Sequence, residues 1–153
     1  MNSLRLKTFY FVGNFHSTPP YIISLNQGIH TQQMIKVIDK KIDKNILKEI
    51  CDAHFKTMVK FVVDINLKKM GVGGELHSDA EELLINEGSN QEDIWGANLY
   101  PYKSGDERLE YTSLINIRPG QGNLSMEIEN ESLREKIQIM TEQLLLNNNE
   151  SLA

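Results

Sequence analysis

Three side chains able to share an ion or a proton stand at alternate positions in GGELHSDAEELL: Glu75, His77 and Asp79. If the backbone stays extended through residues 74–79, the two-residue period of a strand puts all three on one face. A histidine between two carboxylates suits two kinds of chemistry. It makes a ligand set for a divalent cation, or an acid–base group whose imidazole titrates near neutrality. There is no second histidine at HxxxH or HExxH spacing, so no metal is assigned and no cofactor is identified. The structural alternative is that Ser78 and Glu81 form a capping box that opens a helix. Asp79 then lies in the first turn, where the helix dipole favours a carboxylate in any case.

A second polar group follows in EDIWGANLYP and ERLEYTSLINIRPGQGN. Read as two strands around a turn near Gly105, residues 92–101 and 107–119 pair even positions with even ones. Trp95, Ala97 and Leu99 then share an apolar face with Leu109, Tyr111, Ser113, Ile115 and Ile117. Asn98 shares the polar face with Glu110, Thr112, Asn116 and Arg118. Asn98, Asn116 and Arg118 are unusual on a merely solvated strand, where threonine, lysine and glutamate are commoner. Arg118 also precedes PGQGN, so a forked cation sits beside two glycines and the amides of Gln121 and Asn123. That combination can hold a carboxylate or phosphate. It can equally be a surface loop that Arg118 ties down. Gln91 and Asp93, at the start of the hairpin, could point back toward His77 across the intervening helix. Neither PGQGN nor GVGGE has the spacing of a P-loop or a dinucleotide fingerprint.

The elements that must position these groups can be read from periodicity. MIKVI (34–38) suits a first strand, and Asp43 can cap the helix KNILKEICDAHF. MVKFVVDINL (58–67) reads as a buried strand with KKMGVGG (68–74) as its hairpin partner. A short helix, DAEELLINEG, ends at Gly88. Asn130 caps a last helix that points Leu133, Ile137, Met140 and Leu144 to one side. The resulting order is β-α-β-β-α-β-β-α. It predicts one α+β domain over residues 34–146, with a mainly antiparallel sheet of about five strands and helices packed on one face. NNNESLA (147–153) reads as a disordered tail.

Composition narrows the function. The hydrophobic share of 40% and charged share of 24% are those of an ordinary globular domain. A net charge of −5 argues against a protein that mainly grips nucleic acid phosphates, and there is no apolar run of the roughly 18 residues that a membrane span needs. The one cysteine, Cys51, fits a reducing cytoplasm. Residues 1–33 contain no Asp or Glu and include STPPY, which hinders regular structure. They read as a poorly ordered extension before a native start at Met34.

From Met34 to about Leu146 the chain resembles a family of small prokaryotic proteins classified only as a domain of unknown function. The resemblance rests on GGELH, EELL, GSNQEDIWGANLYP, INIRPGQGN and LREKI, in that order and spacing. It implies a start near Met34 and brings no established activity with it. The segment after QGN commonly carries two arginines and an aspartate in such proteins. Here Leu124, Met126 and Asn130 stand instead, which argues against phosphate binding there.

Two functions fit these readings. One is an enzyme or ligand-binding domain whose polar pocket takes a small anionic ligand. The other is a non-enzymatic homodimeric interaction or regulatory module, for which Ile139, Leu145 and Leu146 lie off the core-facing side of the last helix and are free to meet another chain. A nucleic-acid-processing, toxin-like role ranks third, because the chain is acidic.

Overall fold

The computed structural model describes residues 34–153; the extension expected over residues 1–33 lies outside them. The elements are β1 (Ile35–Ile38), α1 (Lys44–His54), β2 (Val59–Asp64), β3 (Lys69–Gly73), α2 (His77–Asn86), β4 (Ile94–Leu99), β5 (Leu109–Glu110) and α3 (Glu131–Leu144). The class and the element order are those expected. All neighbouring strands pair antiparallel in the spatial order β1-β3-β2-β4-β5.

Strand alternation divides the core in two. Val59, Phe61 and Val63 of β2 and Trp95, Ala97 and Leu99 of β4 point to the face covered by α1 and α3. Val62 and Ile94 point the other way and pack with Ala80 and Leu84 of α2. The helix layer expected on one face is thus formed by α1 and α3, whereas α2 takes the opposite face. Burial on both faces explains why VKFVVD reads as a nearly continuous apolar run. Gly71 lets α2 approach closely, since a Cβ there would stand 3.1 Å from the Cβ of Ala80.

The ends of the helices follow local chemistry. Asp43 caps α1 by accepting from the Asn45 and Ile46 amides, and Asn130 caps α3 by accepting from the Leu133 amide. The capping box expected at Ser78 is absent. Gly73 and Gly74, at φ 106° and 83°, turn the chain so early that α2 starts at His77, and Leu76 takes the cap position without a side-chain bond. Ser78 and Glu81 are therefore already inside the helix.

Three further expectations are corrected. The strand expected over 107–119 survives only at Leu109–Glu110, and the chain then leaves the sheet in an excursion of 3-10 turns and isolated bridges. Leu145 and Leu146 do not face outward. The helix ends at Leu144, and both following amides turn back to the Thr141 carbonyl, which drives the two leucines into the core. Only Ile139 of the three stays exposed. The tail is also docked. Leu152 donates its amide to the Pro101 carbonyl at 3.1 Å and packs on the main core, and buried Arg108 bonds the Asn147 and Glu150 carbonyls.

Candidate functional site

The face expected to carry Glu75, His77 and Asp79 together does not form. The extended period stops at Gly73, so Glu75 lies exposed in a turn, His77 begins α2 and Asp79 lies half-buried two residues, about half a turn, further on. Among the described residues no His, Cys, Asp and Glu side chains group closely enough to hold a metal ion. His77 is buried over β4, with Nε2 3.0 Å from the Ala97 carbonyl. A carbonyl only accepts, so Nε2 carries the hydrogen. Burial pushes the imidazole below the ordinary histidine pKa, and the Ala97 carbonyl opposes that shift only in part. Near neutrality the ring is therefore uncharged.

Beside it, Lys60, Asn98 and Glu110 stand in register across β2, β4 and β5. Asn98 Nδ2 donates to Glu110 Oε2 at 2.8 Å, and the Tyr100 hydroxyl donates to the same oxygen at 3.1 Å. Asn98 Oδ1 is buried and makes no bond of normal geometry among the described residues, so its pull on the His77 ring is weak.

Asn116 and Asn123 serve the backbone. Where β5 has stopped, the Asn116 amide takes the place of a paired strand. Its Oδ1 accepts from the Gly96 amide at 2.8 Å and its Nδ2 donates to the Gly96 carbonyl at 2.9 Å. Gly96 is required because a Cβ there would meet Ser113 at 2.7 Å. Asn123 Nδ2 reaches the Asn116, Ser125 and Glu127 carbonyls at 2.8–2.9 Å, and its Oδ1 accepts from the Glu129 amide at 3.0 Å. These two amides satisfy an irregular backbone that has no ladder partner.

Arg118 is committed in the same way. Nε donates to the Ile115 carbonyl at 2.9 Å, Nη1 to the Gln91 carbonyl, and Nη2 to Glu81 at 3.1 Å. The guanidinium also lies 5.1 Å from the Trp95 ring centre. Burial lowers its pKa and Glu81 opposes that change. Gln91 Nε2 joins Glu81 at 3.3 Å, and Gln121 Nε2 bonds the Glu92 carbonyl at 2.9 Å. Asp93 stands apart and accepts from Asn90. The structure thus brings Arg118 and Gln91 together through Glu81 and places His77 with Asn98. None of them lines the cleft between β5 and α3.

What this scaffold presents outward was not anticipated from sequence. On the excursion between Tyr111 and Ile128, Leu114 is 74% exposed and Leu124 70%, with Ile117 and Met126 also exposed. The bridges Thr112–Glu127 and Arg118–Asn123 hold the two limbs of the excursion together. At its base a cleft of about 900 Å³ runs between β5 and α3, lined by residues that include Glu110, Tyr111, Thr112, Glu127, Glu131 and Glu135. Periodicity assigned Ile117 and Leu114 to a strand, which hid the apolar surface; no spacing signal could have revealed it.

No curated protein and no solved structure matches the chain. The model of one family, described as "Protein of unknown function (DUF5674)", matches residues 36–144. That span runs from β1 to the end of α3 and includes every candidate site residue, and the chain belongs to this family of proteins of unknown function.

Proposed function

We propose that this domain is a non-enzymatic interaction module that engages a protein partner through the excursion between Tyr111 and Ile128. The observation that carries this reading is the exposure of Leu114 and Leu124 on a backbone pinned by Asn116, Asn123 and Arg118. Loops that merely connect elements expose small polar residues, whereas rigidly held apolar groups mark contact surfaces. Pre-organisation of this kind lowers the ordering cost of binding. The anionic-ligand reading is weaker, because each nitrogen of Arg118 already donates to an acceptor of the chain. A cytoplasmic setting accords with the buried thiol of Cys51.

The test is affinity capture from a lysate of the native source, comparing the wild-type chain with the Leu114→Ser/Leu124→Ser variant. A partner retained by the wild type and lost by a variant with unchanged melting supports the reading. Equal capture by both overturns it.

A further inference from the structure

Resting on that reading, we infer that the surface takes a basic segment with apolar side chains rather than a second copy of this chain. The excursion that carries the apolar groups springs from the wall of the cleft. Thr112 and Glu127 both line the cleft and bridge to each other at the base of the excursion, and the Ser113 amide bonds the Met126 carbonyl one step beyond. A segment lying across Leu114 and Leu124 therefore runs on toward Glu127.

Charge selects the occupant. Six carboxylates line the cleft against two guanidinium groups, and both cations are already engaged by the chain itself. Arg108 is buried on the Lys103, Asn147 and Glu150 carbonyls. Arg134 bonds Glu127 at 2.7 Å and the Ile128 carbonyl at 2.5 Å, with its guanidinium 5.4 Å from the Tyr111 ring centre. Glu131 and Glu135, in contrast, stand exposed one helical turn apart on α3. Two copies meeting through this surface would bring two acidic clefts together, and nucleic acid would meet repulsion from the same groups. A partner with lysines or arginines beside leucine-like side chains matches both features. The carboxylates steer and orient it, and the leucines supply the buried contact.

A fluorescein-labelled amphipathic leucine–lysine peptide, with a leucine–glutamate peptide of equal length as control, tests this by anisotropy on the full chain. The lysine peptide should bind and the glutamate peptide should not, and high salt should weaken the complex. Glu131→Gln/Glu135→Gln should weaken it about fivefold. Leu114→Ser/Leu124→Ser should weaken it about tenfold or more. Binding that ignores the carboxylates, or equal binding of the control, overturns the inference. Binding that depends on the carboxylates but not the leucines also overturns it, because a simple cation in the cleft would behave so. If the peptide ignores both sets while lysate capture still depends on Leu114 and Leu124, the interaction module stands and only this inference falls.

Discussion

Asn116→Ala offers the sharpest check on how the excursion is held. The Asn116 side chain is fully buried and bonds both polar groups of Gly96, with a further bond to the Met126 carbonyl at 3.1 Å. Gly96 lies in β4 with α2 on one side and the main core on the other, so water has poor access to its amide and carbonyl. Alanine removes the partner and leaves two strand groups unpaired. Each orphaned buried group costs about 1–3 kcal/mol, so the loss should be about 3–4 kcal/mol. That is a large part of the roughly 5–15 kcal/mol that holds a typical domain together. It corresponds to a fall in Tm of about 10–15 °C for a chain of this size. Urea denaturation followed by circular dichroism should show a lower midpoint with an unchanged slope. A loss below about 0.5 kcal/mol would refute the reasoning. It would mean that Gly96 finds other partners and that the amide is not a substitute strand.

Gly96→Ala should be at least as damaging, because its Cβ would stand 2.7 Å from Ser113; adding Ser113→Gly should restore part of the loss in the same melts. His77 is held neutral, so its folded-state pKa lies below the unfolded one. Its contribution is complete above the unfolded value near 6.5 and is lost as pH falls toward the folded value. Wild type should accordingly lose stability as pH falls below about 6.5, and His77→Gln should flatten that slope in urea titrations; equal slopes would refute the assignment. Deleting residues 148–153 should lower stability by about 2–3 kcal/mol, because Arg108 loses a buried acceptor and Leu152 leaves the core. A truncated chain that melts like the full one would restore the frayed-tail reading.

Most of the fold was legible because its signals are local. Asp43 and Asn130 cap helices by chemistry contained within a few residues, and VKFVVD is too apolar to lie anywhere but between two layers. Pairing of even positions in β4 and β5 also follows from the turn, as Asn98 opposite Glu110 demonstrates. Three of the misreadings share one cause, which is that an element's boundary fell elsewhere than its pattern suggested. α2 begins at His77, so Glu75 and Asp79 lose their common face. β5 ends at Glu110, so Leu114 and Ile117 become surface. α3 ends at Leu144, so the helical wheel no longer places Leu145 and Leu146. The end of β5 depends on a tertiary partner, the Gly96 backbone bonded by Asn116, that no window of sequence contains.

The polar residues carry a related lesson. Asn98, Asn116 and Arg118 are conspicuous as poor strand formers and Asn123 as an amide beside two glycines, and those properties have a structural origin here. A chain that leaves the sheet abandons its ladder bonds, yet β4 keeps a buried edge that must be satisfied. Side chains with donors and acceptors at fixed geometry answer that need, and a planar amide reproduces the spacing of a peptide group. The same residue types would line a ligand pocket, so their identity does not separate the two roles. Commitment does. Asn116 and Arg118 place their polar atoms on the chain's own backbone and on Glu81, while Leu114 and Leu124 on the same excursion have their surface in solvent. Function in this domain is therefore better sought among the side chains that the network holds out than among those that make it.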